Sequence, residues 1–178
     1  MGRSVLVTGG AGFLGCNLAG LLLAEGDRVT ALDVLHPQVH PDRQRPALLP
    51  DGVDLIPADV ANEQGWDAVL SLVGPDVIVH LAAETGTGQS LTEASRHARV
   101  NVLGTTQLLD ALTRRRRAPD QLVLASSRAV YGEGEWEGDG VVFRPGPRTH
   151  DALVAGRWDP TGPAGGLARS LPSRAGST

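Results

Sequence analysis

The chain has 178 residues, 41% of them apolar, with a net charge of −4, a single cysteine and no lysine. That length suits one α/β domain with a buried core and is short for a nucleotide-binding domain followed by a full substrate domain. The acidic balance gives no general pull toward nucleic acid or anionic membrane, a lone Cys16 excludes an internal disulfide, and no apolar run is long enough to span a bilayer.

Taken in order, SVLVT (4–8) is a short apolar run ahead of glycines and suits a buried parallel strand. FLGCNLAGLLLA (13–24) is apolar at helical spacing and stops at Gly26. RVTALD (28–33) is a second strand, and the Pro-, Asp- and Arg-rich stretch 36–51 is expected to be a surface loop. A third strand covers 53–57, a helix covers 63–72 and closes at Gly74-Pro75, and DVIVHL (76–81) is a fourth strand. Residues 93–113 form a long helix with Val100, Leu103, Leu108, Leu109 and Leu112 available for its buried face, and QLVLA (121–125) is a fifth strand. Strand and helix alternate throughout, which argues for a parallel sheet covered by helices on both faces. After Tyr131 about a third of the residues are Gly or Pro. The expectation there is long loops, with a short strand at 141–143 and a short helix at 149–155. The domain division follows: a nucleotide-binding domain over 1–131 and a loop-rich tail over 132–178.

TGGAGFLG (8–15) places Gly9, Gly12 and Gly15 at G-x-x-G-x-x-G spacing between a strand and a helix. The first glycine permits the turn, the second lets backbone approach a pyrophosphate, and the third lets the helix pack closely on the sheet. The helix that follows aims free N–H groups and its positive dipole end at the same place. A ligand-free βα turn is the plain alternative. Asp33 ends the second strand near the spacing of a ribose-binding acid. A carboxylate there accepts from both ribose hydroxyls and repels a 2′-phosphate, which favours NAD over NADP; a strand-end Asp capping a turn is the alternative. Asp59 and Val60 follow the third strand at the adenine edge, where an ordinary turn Asp is an equal reading. The resulting fold class is α/β: a Rossmann-type doubly wound parallel sheet, incomplete at about five strands, with an irregular Gly/Pro-rich C-terminal tail.

The ordered set TGGAGFLG, ALD, ADV, HLAAETGTGQS, NVLGT and SSRAVYGEG resembles the extended short-chain dehydrogenase/reductase family. Within it the set is most similar to the NAD-dependent nucleotide-sugar epimerases and dehydratases, and the fourth and sixth segments resemble the dTDP-L-rhamnose 4-epimerase type. The resemblance covers residues 3–135 clearly and the tail loosely. It implies that Gly9, Gly12, Phe13, Leu14 and Gly15 hold the pyrophosphate, Asp33 the ribose, and Asp59 and Val60 the adenine. It further implies that Leu81, Ala82 and Ala83 line the nicotinamide ribose and that residues 84–90 form a flexible loop near phosphates or sugar. Asn101 matches a site-supporting Asn, and Ser127 matches the serine that bonds the reacting sugar hydroxyl. The implied partner is a dTDP- or UDP-sugar, with no nucleic acid and no membrane, as a homodimer in the cytoplasm.

The same family implies a Tyr general base with a Lys four residues on, because a nearby cation brings a phenol of pKa about 10 into useful range. Tyr131 is the sole tyrosine, the residue four beyond it is Glu135, and there is no lysine. The expectation is a truncated or degenerate family member, inactive by itself unless His150 or Arg148 substitutes. Two other readings stay open: a non-catalytic NAD-binding module and a reductase of a non-sugar carbonyl. An uncovered sheet edge is expected to favour association. Arg114–Arg117 is read as cations at a helix C-terminus with a solvated face, rather than a nucleic-acid patch. Cys16 is read as a core residue, and the five histidines show no zinc spacing, His36 and His40 flanking Pro37 in a loop, so no metal is expected. Trp136 and Trp158 are either sugar-stacking or anchoring.

Overall fold

The computed structural model describes residues 2–86, 88–127, 130 and 132–172. Two compact units divide the chain, Met1–Ala125 and Ser126–Thr178, a boundary six residues ahead of the one read from the sequence.

In the first unit, strands β1 (Ser4–Thr8), β2 (Arg28–Asp33), β3 (Asp54–Pro57), β4 (Val77–His80) and β5 (Gln121–Leu124) form one sheet in the order β3-β2-β1-β4-β5. Every pairing is parallel, with Val5 opposite Val29 on one side and Val77 on the other. Helices α1 (Phe13–Ala24), α2 (Glu63–Val73), α3 (Ala94–Ala98) and α4 (Gly104–Arg115) make the crossovers, and a π-helical turn (Arg99–Leu103) joins α3 to α4 without a break. This is the expected Rossmann-type fold of about five strands.

Strand alternation sorts the core into two layers. Val5, Val7, Val29, Ala31, Val77 and Val79 meet Cys16 and Ala19 of α1 on one face. Leu6, Leu32 and Ile78 meet Trp66, Val69 and Leu70 of α2 and Leu108 and Ala111 of α4 on the other. Asn62 caps α2 by accepting the Gln64 N–H at 3.1 Å, and Gly74, at φ +51°, ends it.

Two expectations need correction. Segment 36–51 does not lie wholly on the surface: Leu49 joins the α1 layer and His40 is buried, while the Arg45 guanidinium binds the carbonyls of Val53 and Pro50. The long helix is not uniform: Leu108 and Ala111 are buried, Val100 and Leu112 pack beside them, and Leu103 and Leu109 are exposed. The buried stripe steps through 104, 108 and 111 at four- and three-residue intervals, which puts 109 a quarter-turn away. The tail is mainly loops, as expected, with the short strand at 141–143 and a short helix within 149–155 in place; two further short strands were not foreseen.

In the second unit, β6 (Trp136–Gly138), β7 (Val141–Phe143) and β8 (Ala168–Ser170) form an antiparallel sheet in the order β7-β6-β8, and α5 spans His150–Val154. Asp139 and Gly140 link β6 to β7 with φ of +54° and +73°, the two-residue hairpin geometry that an Asp-Gly pair favours. Trp136 is buried and its Nε1 donates to the Glu133 carbonyl at 2.8 Å, so it anchors the sheet; Trp158 is exposed.

Candidate functional site

The strand order reverses between β1 and β4, and ligands of open α/β sheets bind beyond the carboxyl ends of the strands at such a point. A cavity of about 440 Å³ lies there. Its wall contains Gly9, Gly12, Phe13, Leu14 and Gly15 from the glycine loop and α1, Asp33 from β2, Asp59 and Val60 after β3, and Leu81, Ala82 and Ala83 after β4. Residues from four separate sequence motifs thus share one wall.

The glycines act as steric allowances. Gly9 sits at φ +64°, and a Cβ there would lie 2.9 Å from the Ala82 nitrogen. A Cβ on Gly15 would come within 2.5 Å of both Gly10 Cα and Gly9 O, and one on Gly10 within 2.6 Å of Ala31 Cβ. Gly10 is therefore as necessary to the close packing as the three glycines of the spacing pattern. Gly12 is the extended N-cap of α1 and puts no side chain over the helix end. The N–H groups of Phe13, Leu14 and Gly15 have no partner within an α-helix, and all three residues line the cavity. A cradle that a Cβ would fill and an uncapped helix N-terminus fit a dinucleotide pyrophosphate.

Asp33 ties the loop together: Oδ2 accepts the Ala11 N–H at 3.1 Å and Oδ1 the Leu35 N–H at 2.9 Å. Each oxygen keeps a second lone pair for a ribose hydroxyl. Asp59 is more committed, with Oδ1 on the Ala61 N–H at 2.8 Å and Oδ2 on Arg99 at 2.7 Å, while the Val60 carbonyl accepts from Trp66 Nε1 at 2.6 Å. Gly104, in the NVLGT motif, lets α4 approach this turn, since a Cβ there would sit 2.7 Å from Val60 Cγ2.

Asn101 lies outside the cavity wall but grips it. Its Oδ1 accepts the Glu84 N–H at 2.8 Å and its Nδ2 donates to the Glu84 carbonyl at 3.0 Å. Residues 84–86 and Gln89 of the expected 84–90 loop line the cavity, but sequence reasoning missed His36, Gln38, Val39 and His40 from the β2–β3 loop and Arg96, which bonds Gln38. Arg96 donates to both Glu84 oxygens at 2.9 Å, to Glu93 at 2.9 Å and to Gln38 at 3.1 Å. Its guanidinium is held above its ordinary pKa by the Glu84 bonds first and Glu93 second. That saturated cation offers little to a 2′-phosphate. These contacts link side chains 3 to 58 residues apart, and only the Glu93–Arg96 pair leaves a local pattern.

Ser127 lies three residues past β5, in the second unit, where its carbonyl accepts the Val130 N–H at 3.2 Å. Tyr131 and Thr87 lie outside the described residues. Arg114 pairs with Glu63 and Asp67 of α2, and Arg117 donates to the Gly74 carbonyl, so these arginines of the run join α4 to α2. Burial pushes the Cys16 thiol upward, with the Asp33 charge a second cause, so it is a poor nucleophile. Among the described residues no group of three His, Cys, Asp or Glu is placed to hold a metal, and no helix is long and apolar enough to cross a membrane.

Residues 5–148 match the model of the NAD dependent epimerase/dehydratase family. The chain is 51% identical over 178 residues to a dTDP-L-rhamnose 4-epimerase of Burkholderia thailandensis, covering 99% of this chain and 48% of that one. It is 37% identical over 146 residues to a dTDP-glucose 4,6-dehydratase of Streptomyces griseus, covering 78% and 43%. Among solved structures, the NAD complex of Thermus thermophilus UDP-glucose 4-epimerase superposes with a TM-score of 0.60 at 32% identity, covering 69% of this chain and 37% of that one. The Brucella ovis UDP-glucose 4-epimerase with NAD gives 0.62 at 29%, covering 73% and 37%. The chain spans about half or less of the length of these curated relatives.

Proposed function

The chain belongs to the NAD dependent epimerase/dehydratase family, and from that premise we propose that its 178 residues carry the cofactor half of a nucleotide-sugar 4-epimerase. The proposed substrate is a dTDP- or UDP-linked sugar, dTDP-L-rhamnose first among them. One observation carries the choice of sugar: 51% identity across 99% of this chain to the rhamnose epimerase, against 30% to 37% across 73% to 80% for relatives named for other sugars. In this reading Gly9, Gly12, Phe13, Leu14 and Gly15 hold the pyrophosphate, Asp33 the adenosine ribose, Val60 and Asp59 the adenine edge, and Leu81–Ala83 the nicotinamide ribose. Asn101 fixes the Glu84 backbone beside that strip, and Ser127 bonds the sugar hydroxyl. NAD, when bound, supplies the hydride acceptor at a sugar carbon.

The absence of lysine supports a division of labour. These residues bind NAD, and a Tyr–Lys base, if one completes the reaction, comes from outside them. The same observation favours a second reading, a non-catalytic NAD-binding module. A homodimer and a cytoplasmic location belong to the first reading.

A hybrid separates the two. These 178 residues replace the aligned stretch of the Burkholderia enzyme, and conversion of dTDP-L-rhamnose is followed by product chromatography. Epimerised sugar supports the first reading. A hybrid that binds NAD and converts no sugar supports the module, and conversion of UDP-glucose in place of dTDP-L-rhamnose overturns the choice of sugar.

A further inference from the structure

His80 ends β4, is buried, and engages both ring nitrogens. Nδ1 lies 2.8 Å from Thr8 Oγ1, and Nε2 lies 3.2 Å from Thr105 Oγ1. Lone-pair counting fixes the direction of each bond. The Thr105 hydroxyl proton goes to the Asn101 carbonyl at 3.2 Å, so Thr105 Oγ1 accepts the Nε2 proton and Nδ1 is left bare. Thr8 Oγ1 accepts the Ala82 N–H at 3.1 Å and shares the Leu81 N–H, at 3.2 Å, with the Thr8 carbonyl at 3.1 Å. The Thr8 hydroxyl proton therefore goes to His80 Nδ1. One directed chain runs from the backbone of Leu81 and Ala82, through Thr8, His80 and Thr105, to Asn101. Both of its ends meet the cavity: Leu81 and Ala82 form its wall, and the Asn101 side chain clamps Glu84.

We propose that His80, as the neutral Nε2–H tautomer, is a positioning residue for the cofactor, holding the Leu81–Ala82 wall and the Asn101–Glu84 clamp in one register. This rests on reading the cavity as the NAD site. The groups facing the ring are Thr8 from β1, Trp66 from α2 at 6.2 Å between centroids, Thr105 from α4 and the register neighbour Leu124 from β5, none of which is an anion. A proton added at Nδ1 would displace the Thr8 hydroxyl proton and set three donors on two lone pairs, a conflict relieved only if Leu81 falls back on the Thr8 carbonyl or Ala82 loses its bond. Burial holds the ring below its ordinary pKa, in keeping with the neutral form.

Long-range ¹⁵N–¹H NMR of the full chain reads the tautomer directly. The expected result is a protonated Nε2 and a bare Nδ1 that persist through neutral pH. A proton on Nδ1, or a ring that titrates at the ordinary histidine value, overturns the proposal. NAD titration and thermal melting then compare His80→Asn, which restores an acceptor where Nδ1 sits, with His80→Phe, which keeps a ring and neither bond. His80→Asn is expected to bind within about threefold of wild type, and His80→Phe at least about tenfold more weakly. Equal affinity in all three, or equal loss in both variants, overturns it. If His80→Phe does not fold, Thr8→Val takes its place with the same tenfold expectation. Wild type that binds no NAD overturns the cofactor reading and this proposal with it; wild type that binds while the variants fail to separate overturns this proposal alone.

Discussion

Asn101 closes both main-chain groups of Glu84, accepting its N–H at 2.8 Å and donating to its carbonyl at 3.0 Å. The two residues are 17 apart, one on a π-helical turn and the other three residues past Leu81 at the cavity wall. π-Helical turns recur at functional sites because the extra residue re-aims side chains. Here it puts an amide in register with a loop backbone. Asn101→Ala is expected to weaken NAD by about five- to tenfold, the worth of one to two modest hydrogen bonds. Faster amide exchange at Glu84 would accompany it, and unchanged exchange would count against the clamp.

In the proposed reading Asp33 carries the discrimination between cofactors. Its carboxylate is oriented by the Ala11 and Leu35 N–H groups, so replacement loosens the glycine loop as well as removing the proposed ribose acceptor. Asp33→Ala is expected to weaken NAD by roughly ten- to a hundredfold, the range for hydrogen bonds to a charged group. Calorimetry should also show the preference for NAD over NADP shrinking. A variant with its preference intact would place ribose recognition elsewhere.

Two glycines of α1 should respond oppositely to alanine. At Gly15 the added Cβ meets Gly10 Cα and Gly9 O at 2.5 Å, backbone that cannot swing aside. Gly15→Ala should destabilise by about 1–3 kcal/mol, the usual cost of overpacking, and impair NAD binding. At Gly20 the nearest atom is Pro50 Cγ at 3.8 Å. Gly20→Ala should stabilise by about 0.5–1 kcal/mol through helix propensity. Melting curves that shift the same way for both would refute the steric argument.

Much of this was legible in the sequence because the signals are local. The glycine spacing, the Val5–Val7 apolar run of β1 and the Gly74 stop are each written within a dozen residues, and they give the sheet and one side of the cavity. The Asp139-Gly140 hairpin went unread although Asp-Gly is a strong short hairpin signal, because the glycine-rich tail around it masked the pattern. What stayed hidden is non-local. β8 pairs with β6 across about thirty residues. Leu49 reaches the core from a polar loop, and Thr8 meets His80 from 72 residues away. Gly10 falls outside the spacing pattern because its constraint is Ala31 on the neighbouring strand.

The His80 shift has a definite sign with pH. Its folded pKa is lowered, so below the unfolded value of about 6.5 the unfolded chain binds a proton that the folded chain refuses. Stability should therefore be insensitive to this group above about pH 6.5. It should fall with acidification below that, by at most about 1.4 kcal/mol per pH unit, until the folded group also titrates. Urea melts of wild type and His80→Asn isolate the effect, because Asp27, held below its ordinary value by Arg3, titrates alike in both. Parallel pH profiles would contradict it.

β5 ends the five-stranded sheet with all four residues exposed, Leu124 at 58%. An apolar edge strand is a template for pairing. Sedimentation should show concentration-dependent association that Leu124→Lys reduces. A wild-type chain that stays monomeric across the range would show this edge to be protected.

The cavity beyond β1, β2 and β4 is the proposed NAD site. Titrating the ¹⁵N-labelled chain with NAD and following backbone amide shifts tests it most directly. Saturable shifts concentrated at Gly9–Gly15, Asp33 and Leu81–Glu84 are the expected result. No saturable change, or changes centred away from those residues, would contradict it.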